Sequence, residues 1–155
     1  MKIWIEDRTE IEAILKRAPV GRLGLTSAGE PYIVPLNYAY DNGRIYFHAG
    51  LEGRKIEALR ESPHVCFEVD ELQEVILNEQ ACLSTAYYRS VIMWGKARLL
   101  GSEAEKMKGL ELLLRKYAAG KGYEPPPKEM LELVCVCEVE IEKMTGKASV
   151  PDPTD

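Results

Sequence analysis

Residues 31–55 read PYIVPLNYAYDNGRIYFHAGLEGRK, and the fold turns on how this stretch divides. Residues 31–41, PYIVPLNYAYD, are rich in β-branched and aromatic side chains and read as one long strand. Pro35 inside it has no N–H to give a neighbouring strand, which places it at a sheet edge or a bulge. Asp41-Asn42-Gly43 is a hairpin signal, and residues 44–48, RIYFH, form the return strand. The loop AGLEG follows, then a helical pattern over about 53–61 with Ile56 and Leu59 on one face and Pro63 closing it. This helix opens on two adjacent cations, Arg54 and Lys55, where the macrodipole favours acids.

An anion among them would resolve that conflict. A helix start offers unpaired N–H groups in a positive field. Gly53 lets a ligand approach the backbone, Arg54 adds a planar fork and Lys55 a point charge. Together they suit a terminal phosphate. The alternative is a pair of solvated cations matched by Glu52 and Glu57.

The flanking sequence supplies the rest of a sheet. Residues 8–17, RTEIEAILKR, carry Ile11, Ile14 and Leu15 at helical spacing, with Thr9 as the expected N-cap and Pro19 as the stop. VGRLGLT (20–26) and HVCFEVDE (64–71) alternate as strands, whereas residues 70–86 fit either a short helix or a loop. YYRSVIMWGKARLLG (87–101) puts Val91, Met93, Ala97 and Leu99 on one side and Ser90, Ile92, Trp94, Lys96 and Arg98 on the other. Ser102 and Glu105 form a capping box for a helix whose expected buried stripe is Met107, Leu110, Leu114 and Tyr117. LVCVCEVEIEKMTG (133–146) is the last strand. One domain over residues 1–145 and a flexible tail over 146–155 are expected. The reading is mainly β with flanking helices, a six-stranded antiparallel barrel, closed or nearly so.

The 155 residues carry a formal net charge of −5, which argues against nucleic-acid binding over the whole surface. No apolar run reaches the roughly 20 residues of a membrane span. The start, MKIWIEDRTE, lacks the apolar region of a signal peptide, so a cytoplasmic protein is expected. Cys66, Cys82, Cys135 and Cys137 form no CxxC pair and are expected as reduced thiols without a metal. Cys135 and Cys137 share a strand face with Val139 and read as core; Cys66 points away from the core residues beside it.

The order and spacing of GRLGL, VPLNY, the YFH…GRK element, SPHVCFEV and RSVIMWGKA resemble the FMN-binding split-barrel superfamily that includes pyridoxamine 5′-phosphate oxidase, nearest its nitroimidazole-resistance branch. The resemblance covers nearly the whole chain. It implies a homodimeric split barrel with FMN in grooves between subunits. It puts Arg54 and Lys55 on the FMN phosphate and runs the strand Val34, Pro35, Leu36 and Asn37 beside the isoalloxazine. Phe47 and His48 would sit at a strand end near the flavin, and Ser90 would come from the other subunit. His48 is then the candidate catalytic residue, as a proton donor or a substrate contact; the alternative is a histidine that only ends its strand. The tail VPDPTD shows no match to the substrate-binding end of the vitamin B6 oxidases, so that reaction is not implied. The implied activity is two-electron transfer from a reduced nicotinamide, NAD(P)H, to a small organic acceptor such as a nitro compound. The alternatives are a non-catalytic flavin binder and a haem-binding protein using the same groove.

Overall fold

The computed structural model describes residues 1–118 and 120–152. Eight strands occur among them: β1 (Lys2–Ile5), β2 (Gly21–Ser27), β3 (Glu30–Leu36), β4 (Ala39–Asp41), β5 (Arg44–Ala49), β6 (His64–Ile76), β7 (Thr85–Leu99) and β8 (Cys135–Ser149). The helices are α1 (Arg8–Arg17), α2 (Arg54–Glu61), α3 (Glu103–Tyr117) and the one-turn α4 (Lys128–Leu131). All pairings are antiparallel. The sheet runs β3-β2-β6-β7-β8-β5-β4, with β1 added to β8, and the path does not close.

Eight strands replace the expected six for two reasons. The N-terminal residues pair with the end of β8, Lys2 opposite Ser149 and Ile5 opposite Gly146. The long strand over 31–41 breaks at Asn37–Tyr38. Tyr38 is fully buried; its hydroxyl donates to the Leu15 carbonyl at 2.6 Å and its ring meets Phe67 edge-on at 5.0 Å. Drawing this side chain under α1 takes the backbone out of the sheet. Pro35 does sit on an edge strand, since β3 ends the path. The Asn42-Gly43 hairpin is present, with Asp41 opposite Arg44.

Residues 70–86 are mostly strand. β6 continues to Ile76 and pairs with β7 from Thr85, leaving only a 3-10 turn at Ala81–Leu83. The C-terminal boundary also moves. Residues 146–149 are not a tail: they lie in β8 with β1 on one side and β7 on the other, so their backbone groups are paired twice. Of the expected tail, residues 153–155 lie outside the described residues.

One face of the sheet holds the core. Leu23, Ile45, Phe47, Phe67, Val69, Val91, Met93 and Cys137 meet there, and α1 and α2 close over them with Ile14, Leu15 and Ile56. Each such burial contributes about 1.5–3 kcal/mol. Asp7, not Thr9, caps α1: its carboxylate accepts from the Thr9 N–H at 2.8 Å. On the opposite face of β5 and β8, α3 packs against Tyr46, Leu100 and Val136. The close approach is at Gly109, where a Cβ would lie 2.7 Å from Val136 Cγ1. Gly109 and Leu113 are therefore the buried line of α3, rather than the expected stripe. Leu110 and Leu114 are half-buried and Tyr117 is exposed at 39%.

Candidate functional site

The eight-residue helix α2 begins without the fittings of the other two long helices. Asp7 caps α1 and Ser102 caps α3 through side-chain oxygens, but the N-cap of α2 is Gly53, which has no side chain to offer. Gly53 has φ +117° and ψ 164°, a region essentially reserved for glycine, with open space where a Cβ would stand.

Arg54 and Lys55 are held by the strands around them. The Arg54 Nε donates to Ser27 Oγ at 3.0 Å, and the guanidinium lies 4.3 Å from the centre of the Tyr32 ring. Its Nη2 is 3.8 Å from a Glu30 carboxylate oxygen, an exposed pair that contributes little. Of its five N–H donors, only Nε is spent in a hydrogen bond among the described residues. Lys55 Nζ lies 5.7 Å from the ring centre of the buried Phe47. Ser27 and Tyr32 were absent from the sequence-derived set, although both flank the turn that faces the GRK triplet.

The edge strand β3 leads from this helix start to a second feature. Tyr32, Val34 and Leu36 are half-buried on its inner side, Ile33 and Pro35 are exposed on its outer side, and no strand among the described residues pairs its far edge. From Tyr32, under Arg54, to Asn37 the chain advances five residues, about 16 Å at the usual strand rise. Asn37 opens into a cavity of about 490 Å³ whose wall also includes His48, Leu110, Leu114, Tyr117 and Met130.

Phe47 and His48, adjacent on β5, part company. Phe47 points into the core and offers a ligand only its backbone, whereas His48 is exposed on the opposite face, toward α3. His48 makes no side-chain hydrogen bond among the described residues, and Asn37 Nδ2 donates to the Pro19 carbonyl at 3.3 Å. The Tyr117 hydroxyl shares its one proton between the Pro19 and Tyr38 carbonyls, at 2.8 and 3.1 Å, and accepts from the Tyr38 N–H at 3.0 Å.

Ser90 reaches neither feature within one chain. It is half-buried on the outward face of β7, its hydroxyl 3.5 Å from the Lys147 carbonyl. That face also carries the cross-strand row Ile33, Gly24, Cys66 and Trp94, so Cys66 does point away from the core. Ile33 is 67% and Trp94 41% exposed, a concentration of bare apolar surface.

Other reactive groups are quiet. Burial pushes the Cys137 thiol up to about 12, which removes thiolate chemistry. No cluster of His, Cys, Asp and Glu suited to a metal occurs among the described residues, and among them no helix is long and apolar enough to cross a membrane.

Comparison with known proteins places this geometry. A candidate 5-nitroimidazole antibiotic resistance protein from Bacteroides thetaiotaomicron is 32% identical and superposes with a TM-score of 0.85, covering 96% of this chain and 87% of that one. The flavocytochrome Anf3 from Azotobacter vinelandii is 25% identical with a TM-score of 0.84, over 98% of this chain and 72% of that one. The uncharacterized protein RA0666 from Rhizobium meliloti is 27% identical over 96% of this chain and 97% of its own length. The family model for pyridoxamine 5′-phosphate oxidase matches residues 7–148. With nearly the whole chain so matched, and with the edge strand, the bare helix start and the sheet order described above, this protein belongs to the pyridoxamine 5′-phosphate oxidase family of split-barrel proteins.

Proposed function

We propose that the chain is an FMN-dependent oxidoreductase that works as a homodimer. The observation that carries this reading is the single edge strand joining two unlike ends: a cationic, uncapped helix start at Gly53–Lys55 and an apolar cavity bordered by Asn37 and His48. An elongated ligand with a phosphate at the helix start and a planar ring laid along the β3 edge suits that layout, and it leaves the cavity open beyond the ring.

The residues present fit such a group. The main-chain N–H groups of Arg54 and Lys55, ahead of the Ile56 N–H that bonds the Gly53 carbonyl, and the free side-chain N–H groups of Arg54 would hold the phosphate, with Lys55 adding charge. Ser27 and Tyr32 keep the guanidinium aimed, which limits the ordering cost of binding. The unpaired edge of β3, over Val34, Pro35, Leu36 and Asn37, leaves backbone donors and acceptors for the rim of a flavin ring. Ser90 and the bare face around Ile33 and Trp94 would belong to the seam with a second copy, which would close the groove.

Bound flavin supplies the two-electron chemistry, and the protein supplies binding and orientation. Overall, a reduced nicotinamide gives up a hydride equivalent and the acceptor gains two electrons and two protons. A nitro group so treated becomes a nitroso group and releases one water. His48 stands where a ring nitrogen can deliver one of those protons to an acceptor oxygen, and Asn37 can orient that oxygen. The similarity to a candidate nitroimidazole resistance protein and to a flavocytochrome favours a redox role over an inert fold.

The test is an absorption spectrum of the purified protein, followed by mass identification of what denaturation releases. Flavin absorption with released FMN, and oxidation of NADH or NADPH on adding a nitro compound, are expected. Protein that neither carries nor takes up flavin would end this reading.

A further inference from the structure

We infer that the cavity between α3 and the outer face of β5 is a subsite for an uncharged, ring-bearing organic molecule, and that its walls select against charged ones. That this molecule is the electron acceptor rests on the flavin reading above; its chemical class rests on the cavity itself.

The first observation is the rotation of α3. Gly109 takes the close sheet contact, because a Cβ there would lie 2.7 Å from Val136 Cγ1. A helix turns 100° per residue, so the flank beside that contact, with Leu110, Leu113, Leu114 and Tyr117, borders the cavity. Large apolar groups at i, i+4 and i+7 ordinarily mark a buried face. Here their cover from the chain is partial, and Met130 across the gap is 48% exposed.

The second observation is that the walls are pinned before any ligand arrives. Lys106 Nζ donates to the Leu131 and Val134 carbonyls at 2.8 and 3.1 Å, tying the α4 segment to α3. At the other end of the cavity, the Tyr117 hydroxyl and Lys116, whose Nζ donates to the Ala18 carbonyl at 2.7 Å, tie α3 to the turn after α1. A volume of about 490 Å³ between such fixed walls falls within the roughly 300–1,000 Å³ of small-molecule sites.

The third observation is charge. Among the described residues no Lys, Arg, Asp or Glu lines the cavity; its polar side chains are Asn37, His48 and Tyr117, whose hydroxyl proton is already engaged. A carboxylate or phosphate there would lose hydration without a matching charge. A neutral ring loses nothing comparable and gains contact with the apolar lining, while Asn37 and His48 can hydrogen-bond one polar substituent. A phosphorylated vitamin is thus the wrong kind of guest for this space.

The experiment is calorimetric titration of the full chain with nitrobenzene and with 4-nitrobenzoate, which differ by one carboxylate. Nitrobenzene should bind at one site, and 4-nitrobenzoate at least tenfold more weakly. Leu114→Trp, which fills the cavity, and Met130→Asp, which puts a charge on its exposed wall, should each weaken nitrobenzene about tenfold or more without changing flavin content. The Met130 position is solvent-accessible, so that variant keeps the test alive should the tryptophan fail to fit. Equal or tighter binding of 4-nitrobenzoate, or unchanged nitrobenzene affinity in both variants, overturns the proposal. So does stoichiometric uptake of haemin with a Soret band that is lost in His48→Ala, because the cavity would then be a porphyrin site. Nitrobenzene binding with the expected variant pattern in a protein that never takes up flavin would uphold the ligand class while removing the flavin reading.

Discussion

Helices α2 and α3 begin in opposite ways, and the proposed phosphate site rests on the contrast. At α3, Ser102 accepts from the Glu105 N–H at 3.2 Å while the Glu105 carboxylate reaches back to the Ser102 N–H at 3.3 Å. Arg98 adds a 2.7 Å bond to the same carboxylate. Donors, acceptors and charges there are settled within the chain. At α2 the cap is a glycine, which offers no side-chain acceptor, and the first two side chains are cations, with Glu57 the acid of the first turn. Two neighbouring cations at the positive end of a helix repel it and each other. A phosphate dianion reverses both terms. One start is settled within the chain, and the other is the one that the proposed phosphate would complete.

The largest expected effect comes from breaking the open end. Arg54→Ala with Lys55→Ala should weaken FMN binding by on the order of a hundredfold or more, since each charge-assisted bond contributes about 1.5–3 kcal/mol. The thermal midpoint without cofactor should move little, because Arg54 is exposed and Lys55 only half-buried. Equilibrium dialysis against FMN reads this, and full retention of cofactor would move the phosphate elsewhere. A smaller and complementary effect is expected at the closed end. Ser102→Ala should cost about 1 kcal/mol in a urea unfolding curve while leaving flavin content unchanged. If it released flavin, the two helix starts would not be independent.

The smallest effect is one of pH. Arg98, with the Ser102 N–H and hydroxyl, holds the Glu105 carboxyl down at about 2, against an ordinary value of 4.5. An acid whose folded pKa is depressed stabilises the fold above the unfolded value and loses that contribution as pH falls toward the folded one. Amide exchange in the first turn of α3 should therefore quicken as pH drops from about 4.5 to about 2, after correction for intrinsic rates. In Glu105→Gln that change should be absent. Persistence of the change in the variant would assign it to another carboxylate.

Much of this was legible in the sequence because it depends on neighbours in the chain. The Asn42-Gly43 hairpin, the edge or bulge that Pro35 implies, the Ser102–Glu105 capping box and the unlikely cations at 54 and 55 are local chemistry, and the structure shows the hairpin, an edge strand at Pro35, the box and a helix that begins on both cations. What failed to show depends on partners far away. β1 is four residues whose strand character comes only from pairing with the end of β8, which also turns residues 146–149 from a supposed tail into sheet. Tyr38 breaks the 31–41 strand because it bonds to Leu15, twenty-three residues earlier. The apolar stripe of α3 was visible, but its direction was not: Gly109 decides which line touches the sheet, and that contact exists only when Val136 is opposite. A glycine inside an otherwise strong helix was the one available signal of a close approach.

By itself, then, the order of residues determined a hairpin-rich antiparallel sheet, its helix caps and a cationic helix start, because backbone preference, capping and like-charge repulsion act over a few residues. The tertiary structure alone decided that Asn37, His48 and the flank of α3 meet around one cavity and that Phe47 faces away from it. Those outcomes follow from strand alternation and helix rotation, which are set by what each element packs against.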